Sequence, residues 1–304
     1  MKDVLLLIFG CICAGIGGEI FVRGVVKLAG WARVTPGIVA ATFAAFATSS
    51  PELAVAITSA LAQQPQIALG DVLGSNVVNI ALVLGIAALI APISLHPGQY
   101  RRDYLVALFT PLLLAILCRD GQLDKYDAMI LLIVFAIWLG AVTSEAHKQR
   151  RITQSIVSGS SLGPTLALCL TGLLDLVIAG KLIVAGASGI ALSYGLDEFV
   201  IGAVLVAAGT SAPELATAIV AKLKKHDEIG IGTLLGSNIF NCLFVVPTAT
   251  LIHPIKFDWP LVSISLATAI VATLALTFTD ANTLKRHHGL VLLAIYLGYI
   301  TFTA

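Results

Sequence analysis

The stretches "ATSSPELAVAI" at residues 47–57 and "GTSAPELATAI" at residues 209–219 lie 162 residues apart and decide how this chain folds. A second pair, "GDVLGSNVVNIALVLG" at 70–85 and "GTLLGSNIFNCLFVVP" at 232–247, recurs at the same offset. Two separate matches at one offset, without a gap, indicate that the chain contains two copies of one structural unit.

The composition is that of an integral membrane protein. Of the 304 residues, 58% are hydrophobic and 12% are charged, whereas an ordinary soluble domain has about 25% charged residues. A membrane span needs about 20 apolar residues. Windows of that length predict an all-α protein with ten transmembrane helices, near 3–29, 36–63, 66–93, 102–118, 125–144, 164–192, 198–221, 229–253, 258–279 and 288–304.

The two copies are predicted to form inverted repeats. Residues 1–144 and residues 164–304 each hold five predicted spans, so the second copy enters the membrane from the opposite side. Inverted repeats are common in secondary transporters, which bind their substrate near the bilayer midplane between the copies. The polar stretch 145–163 is the predicted linker.

The basic residues predict the orientation, because lysine and arginine concentrate in cytoplasmic loops. One set of alternate loops carries Arg33, Arg101, Arg102, Lys148, Arg150, Arg151, Lys222, Lys224, Lys225, Lys285 and Arg286, and the other carries Lys2, Arg119, Lys125 and Lys256. We therefore expect a multi-pass protein of the plasma (inner) membrane, with a cytoplasmic linker and both termini outside. Lipid is an expected partner; a net charge of +1 without a long basic run argues against nucleic acid.

Two prolines predict breaks inside otherwise apolar helices. Pro51 and Pro213 lack an N–H and disturb the preceding turn, which frees carbonyl groups near Ala47 and Gly209. Lipid cannot satisfy free carbonyls. Polar groups should therefore collect beside each break.

A carboxylate follows each of these prolines. Inserting a glutamate at the membrane centre costs roughly 2.5–3.5 kcal/mol, so Glu52 and Glu214 are expected to be functional. Helical spacing places further polar side chains on the same faces. These are Ser49 and Ser211, three residues before the glutamates, and the pairs Ser75 with Asn79 and Ser237 with Asn241, each four residues apart. Such an all-oxygen cluster suits a hard cation such as calcium or sodium.

Glycines in the same stretches are expected to let the helix backbones approach closely. They are Gly70, Gly74, Gly232 and Gly236. Asp71 follows the first of them, and its repeat partner is Thr233. Two interpretations of Asp71 stay open: a one-sided change in the site, or a cap at a helix start.

Other classes of site fit less well. A single membrane serine or threonine usually bonds to its own backbone, but a whole constellation repeated at one offset favours function. The charged residues Glu19, Arg23, Asp175 and Lys181 of the first span of each copy are expected to be structural. The chain has no HExxH motif, and its GxSxG match, "GSSLG" at 159–163, falls in the polar linker and not between a strand and a helix, so an enzyme is not expected.

"GTSAPEL" with "GTLLGSNIFN", and the looser "ATSSPEL" with "GDVLGSNVVN", resemble the two alpha repeats of the cation/calcium exchanger superfamily. The resemblance is strongest to its prokaryotic sodium/calcium exchangers, with alpha motifs at 36–93 and 198–255. It implies a ten-helix antiporter in which two loosely packed helices slide past a rigid bundle.

The resemblance also implies a set of ion ligands. Glu52 and Glu214 would be the principal calcium ligands. The remaining groups implied for the calcium and sodium sites are Thr48, Thr210, Ser49, Ser211, Ser75, Ser237 and the carbonyl groups of Ala45 and Ala207.

The sequence departs from the family pattern at several positions. Ala47 and Ser50 stand where glycine and an apolar residue are usual, and Asp71 stands where asparagine or threonine is usual. Asparagine occupies both positions 79 and 241, one of which is aspartate in some relatives. Calcium/sodium exchange is therefore the expectation, with calcium/proton exchange as the alternative and a passive cation channel as a weaker one. We expect a monomer without a cofactor.

Overall fold

The computed structural model describes residues 2–95, 97–152, 161–193, 207–257, 259–279 and 282–303, and most of these are helical. The helices are numbered here in chain order. They are α1 Lys2–Ala32, α2 Pro36–Thr48, α3 Ser50–Leu61, α4 Pro65–Ile90, α5 Pro97–Leu117, α6 Lys125–Ile152, α7 Leu162–Ser193, α8 Ala207–Thr210, α9 Ala212–Leu223, α10 Asp227–Ile252, α11 Trp259–Ala275 and α12 Arg286–Thr303.

Apolar helices make this a multi-pass membrane protein with an all-α fold. Five described helices are long and apolar enough to cross a membrane, or six if α2 and α3 are one bent span. The other long described helices do not meet these limits of length and composition. Helices α5 and α12 carry basic residues within their first two turns, and α11 has 17 residues. The count of ten spans stays a prediction.

The helix limits differ from the predicted spans where polar residues continue a helix. Helix α6 runs to Ile152, so residues 145–152 of the predicted linker are helical. Helix α5 begins at Pro97, five residues before its predicted span. Hydropathy finds the part of a helix suited to lipid and not the helix end. The rest of the linker up to residue 160, and residues 198–206 of the seventh predicted span, lie outside the described part.

The predicted break at Pro51 is confirmed. Helices α2 and α3 meet at Ser49 with a bend of 41°. The Ser50 hydroxyl donates a 2.6 Å hydrogen bond to the Ala47 carbonyl, which is the acceptor that the proline would otherwise leave without a partner. In the second copy, α8 ends at Thr210 and α9 begins at Ala212, one residue before Pro213.

Among the described residues, three helices contain a π-helical turn, in which backbone hydrogen bonds join residues five apart and not four apart. These turns span Ala40–Ala44 in α2, Val78–Val83 in α4 and Asn241–Val245 in α10. Such turns are rare and occur frequently at functional sites. Two of them begin at or one residue before a candidate site residue, Asn79 or Asn241.

Helices α4 and α10 form the centre of the protein. Their most apolar segments are 78% and 94% buried, against 24% for α1 and 28% for α7. Helices α1 and α7 pack along each other at the edge and contact the centre through α9. The site segments therefore lie in the most enclosed part of the fold.

Short strands connect loops of the two copies. Strand β1 (Ile93–Ser94) pairs antiparallel with β4 (Thr283–Leu284), and β2 (Gln122–Leu123) pairs with β3 (Ile255–Lys256). Each pair joins one loop from each half of the chain.

Polar contacts near β1 join the loops that carry most of the basic residues. Lys222 forms an ion pair with Asp227 at 2.9 Å, and the Ser94 N–H donates to the same carboxylate at 2.8 Å. Arg102 pairs with Glu145. The β1–β4 pair thus joins two loops of the more basic set, and the β2–β3 pair joins two loops of the less basic set.

Glycine is required where α10 crosses α2. A Cβ atom on Gly236 would lie 2.7 Å from Ala45 Cβ and would overlap the Ala41 carbonyl oxygen. A Cβ on Gly232 would lie 3.0 Å from Ala40 Cβ. No described atom lies within 4 Å of the corresponding position at Gly70. The expectation for Gly70 stays a prediction, because residues 199, 202 and 203, which align with the residues that contact Gly232, lie outside the described part.

We predict that Gly236→Ala lowers the thermal unfolding midpoint in detergent, because overpacking at a tight helix crossing costs about 1–3 kcal/mol. Gly140→Ala in α6 is the control and should leave the midpoint nearly unchanged, because no described atom lies within 4 Å of the added Cβ position. Fluorescence-detected size-exclusion chromatography after heating measures both. Equal midpoints for the two variants would contradict the close α2–α10 contact.

Candidate cation-binding site

The site is built where the broken helices meet the two central helices. Glu52 lies in the first turn of α3 and Glu214 in the first turn of α9. Helix α3 packs on α4 within the first half, and α9 packs on α10 within the second. Between the halves, α10 contacts α2 and α4 contacts α8. The segment around Glu52 therefore lies beside helices of the second half, and the segment around Glu214 lies beside helices of the first half.

One line of oxygen atoms leads from Glu52 to Asp71. The Ser75 hydroxyl donates to Glu52 Oε1 at 3.3 Å and lies 3.5 Å from the Thr210 hydroxyl of the other half. Thr210 in turn donates to Asp71 Oδ1 at 3.4 Å.

A second line repeats this pattern around Glu214. The Ser237 hydroxyl donates to Glu214 Oε1 at 3.3 Å and lies 3.3 Å from the Thr48 hydroxyl. The Ala45 carbonyl lies 3.4 Å from both hydroxyl oxygens. In each line the glutamate and serine come from one half and the threonine from the other.

These contacts are long for hydroxyl hydrogen bonds, which are usually about 2.7–2.8 Å. Hydroxyl groups elsewhere in the same fold make contacts of both lengths: Thr42 bonds the Ile38 carbonyl at 2.7 Å, whereas Thr110 lies 3.3 Å from the Ala107 carbonyl. The site hydroxyls of Ser75, Ser237 and Thr48 therefore lie 3.3–3.5 Å from their neighbours in the two lines, which is longer than a usual hydroxyl bond.

Buried oxygen atoms without a hydrogen-bond partner concentrate in the same segments. Within the described part of the chain every unpartnered buried side-chain atom is an oxygen. The atoms in the predicted site residues are Ser49 Oγ, Glu52 Oε2, Asp71 Oδ2, Asn79 Oδ1, Ser211 Oγ, Glu214 Oε2 and Asn241 Oδ1. Native proteins leave few buried polar groups unpaired, and each exception calls for an explanation.

The two glutamates are buried without a basic partner. Glu52 is 0% exposed and Glu214 is 1% exposed. Of the described lysine, arginine and histidine side chains, none forms an ion pair with either. An unpaired buried carboxylate is strongly disfavoured. Cations or protons must therefore balance these groups.

The donor set consists of oxygen atoms, which suit a hard cation. Among the described residues no three His, Cys, Asp or Glu side chains converge as a metal site. The surrounding oxygens belong mainly to hydroxyl, amide and backbone groups, which are ligands that sodium and calcium accept.

Sequence reasoning missed four buried polar residues near the site. Asn76 and Asn238 link α4 to α10 through their side-chain amides. Thr217 and Thr233 are 0% and 1% exposed, with hydroxyl oxygens that have no hydrogen-bond partner. The asparagines had a signal, since "GSN" recurs at the offset of 162 residues. Thr217 had none, because its repeat partner is Val55.

The remaining predicted residues differ in where the structure places them. Ala45 is buried and its carbonyl lies in the site, whereas Ala207 is described only as the first residue of α8. Asp71 is partly exposed and lies inside α4, so the interpretation as a helix-start cap is wrong. Glu19 pairs with Arg23 and Lys224 away from the site, as expected for a structural charge.

A family model for the sodium/calcium exchanger protein matches residues 2–144 and 164–304. The chain belongs to this family. The inner membrane protein YrbG of Escherichia coli is 32% identical over 234 residues, which cover 74% of this chain and 72% of YrbG. The sodium/calcium exchanger MaX1 of Methanosarcina acetivorans is 24% identical over 341 residues, covering 98% of this chain and 97% of MaX1.

Among solved structures, the sodium-calcium exchanger NCX_Mj has the same fold as this exchanger-family protein. The two agree with a TM-score of 0.84 and 28% sequence identity, over 99% of this chain and 98% of NCX_Mj. The resemblance to the cation/calcium exchanger superfamily is thus confirmed.

Proposed function

We propose that this exchanger-family protein is a secondary antiporter that exchanges calcium for sodium across the plasma membrane by alternating access. The observation that carries the proposal is the pair of buried glutamates without a basic partner. One calcium ion balances two ionised carboxylates. The names of MaX1 and NCX_Mj as sodium/calcium exchangers support this choice of ions.

We assign the ion ligands to both lines of oxygen atoms. Glu52 and Glu214 are the principal calcium ligands in this proposal. The supporting ligands are Thr48, Thr210, Ser49, Ser211, Ser75, Ser237, Asn79, Asn241 and the carbonyl groups of Ala45 and Ala207, with Asp71 as an additional carboxylate on one side. The unpartnered oxygens and the long hydroxyl contacts support this assignment.

Sodium is favoured over protons because of these hydroxyl and amide oxygens. Protons would need only the two carboxylates, since protonation alone removes their charge. Sodium ions need further oxygen ligands, and the serine, threonine and asparagine side chains offer them. In proton exchange those groups would serve calcium alone, whereas in sodium exchange they serve both cations.

For the architecture, we propose ten transmembrane helices arranged as two inverted five-helix repeats, residues 1–144 and 164–304, joined by the cytoplasmic linker 145–163. The crossed pairing of the strands and the crossed hydroxyl contacts support this arrangement. Helices α1 and α7 are the candidates for the sliding pair, because they pack mainly along each other at the edge of the fold.

Replacing either glutamate by glutamine should abolish calcium uptake by reconstituted vesicles while the protein still inserts. Glutamine keeps the shape but removes a charge interaction worth about 3 kcal/mol or more, which corresponds to about a hundredfold loss. Glu52→Gln and Glu214→Gln should lose calcium uptake to the same extent. Glu228→Gln, in the first turn of α10, is the control. Normal exchange by Glu214→Gln would rule out a site shared by the two halves.

An outward sodium gradient at symmetric pH should drive calcium into vesicles. Ser75→Ala or Ser237→Ala should raise the half-saturating sodium concentration by about fivefold, as expected for one lost polar contact of about 1 kcal/mol, and change calcium affinity less. Ser59→Ala is the control, because this buried hydroxyl contacts the Ala56 carbonyl of its own helix. Uptake driven by a pH gradient without sodium, and insensitive to added sodium, would instead establish calcium/proton exchange.

Cysteine labelling tests the orientation in a background without the five native cysteines. Lys148→Cys should react only with reagent on the cytoplasmic side, because the positively charged loops remain there. Lys2→Cys and Asp120→Cys should react from outside. Cytoplasmic labelling at either of these two positions would contradict the proposed topology.

A further inference from the structure

Four asparagines form a buried hydrogen-bonded cluster between α4 and α10. Asn79 Nδ2 donates to Asn238 Oδ1 at 3.0 Å, and Asn241 Nδ2 donates to Asn76 Oδ1 at 3.1 Å. The inner pair also contacts the opposite backbone: Asn76 Nδ2 donates to the Asn238 carbonyl at 3.4 Å, and Asn238 Nδ2 donates to the Asn76 carbonyl at 3.1 Å. Asn76 Nδ2 additionally lies 3.0 Å from Cys242 Sγ.

This cluster fixes which end of each outer amide is occupied. An amide side chain has a donor end and an acceptor end of nearly equal size, so its hydrogen bonds decide the orientation. Asn79 and Asn241 both use their NH₂ groups within the cluster. Their Oδ1 atoms are consequently the free ends, and both are buried without a hydrogen-bond partner.

The two outer asparagines lie one helical turn from serines of the proposed ion site. Asn79 follows Ser75 by four residues on α4, and Asn241 follows Ser237 by four residues on α10, so each shares a helix face with a serine that contacts a glutamate. A carbonyl oxygen attracts a cation, whereas an NH₂ group repels it. The orientation of these amides thus determines whether each is a ligand or an obstacle.

We propose that Asn76 and Asn238 are positioning residues that hold the amides of Asn79 and Asn241 with their oxygen atoms toward the transported cation. Each acts across the boundary between the halves: Asn238 orients Asn79, and Asn76 orients Asn241. This inference rests on the proposed function and deepens it, because it assigns a role to residues that do not themselves contact the ion.

The first test is Asn238→Ala, measured by initial rates of calcium uptake into reconstituted vesicles. Without the Asn238 acceptor, the Asn79 amide loses its fixed orientation, and the half-saturating calcium concentration should rise by about tenfold with a smaller change in maximal rate. Thr250→Val is the control on the same helix, because this buried hydroxyl bonds to its own helix at the Val246 carbonyl. Asn238→Ser, whose hydroxyl is too short to reach Asn79, serves if the alanine variant does not fold.

The decisive test uses aspartate, whose two oxygen atoms are equivalent and need no orientation. In an Asn79→Asp background, Asn238→Ala should change the half-saturating calcium concentration by less than about threefold. In an Asn241→Asp background, the same Asn238→Ala change should keep its full effect of about tenfold, because Asn241 is oriented by Asn76 and not by Asn238.

The outcomes separate this inference from the proposed function. Loss of the Asn238→Ala effect only in the Asn79→Asp background supports the positioning role. The positioning role is overturned if Asn238→Ala has the same effect in the parent protein, in Asn79→Asp and in Asn241→Asp. It is also overturned if the parent protein exchanges calcium and Asn238→Ala does not change that exchange. Both results leave the antiporter proposal intact. A parent protein without counter-ion-dependent calcium uptake refutes the proposed function itself.

Discussion

Two carboxylates buried without a basic partner are the constraint on which the rest of this structure depends. Glu52 and Glu214 are almost completely enclosed, and each has one oxygen in contact with a serine hydroxyl and one without a hydrogen-bond partner. In a medium of low dielectric constant such a pair is tolerable only when positive charge balances it. Under the proposed exchange, this penalty opposes movement of the unloaded carrier across the membrane. Transport in one direction is thereby coupled to return transport of another cation.

The crossed construction of the site explains why both halves are needed. Ser75 bridges Glu52 of its own half and Thr210 of the other, and Ser237 does the same for Glu214 and Thr48. Neither half alone supplies all the oxygen atoms of either line. The Ala45 carbonyl is shared between helix and site: it accepts the Ser49 N–H at 3.0 Å and lies 3.4 Å from the Thr48 and Ser237 hydroxyl oxygens. The π-helical turns in α2, α4 and α10 fit this picture, since they loosen the regular backbone pattern in the same segments.

Much of this could be predicted from the sequence because polar residues inside apolar helices are costly and therefore conspicuous. That cost makes the break at Pro51 and the buried glutamates predictable. The offset of 162 residues shows that the same set of residues occurs twice. The role of Asn238 could not be predicted, since it depends on which side chains face one another across two helices, and sequence spacing describes only one helix at a time. The same limit applies to Gly236, whose close approach to the Ala41 carbonyl depends on which residue of α2 lies opposite it. The helical end of α6 was missed because hydropathy reports the preference for lipid, whereas a charged segment can continue a helix into water.

The departures from internal symmetry carry a separate meaning. If two inverted repeats were identical, exchanging their conformations would convert one end state of the carrier into the other, and the two states would have equal free energy apart from the membrane's own asymmetry. Any intrinsic preference must therefore arise at positions where the halves differ. Asp71 faces Thr210, whereas its partner Thr233 offers an uncharged hydroxyl at the equivalent position. Lys222 and Asp227 join the α9–α10 loop to β1, and the equivalent residues in the first half are Ala60 and Pro65, which cannot form an ion pair. One difference changes the charge beside the proposed ligands and the other adds contacts between loops. Under the proposed exchange, ion affinity and preferred conformation can therefore vary independently.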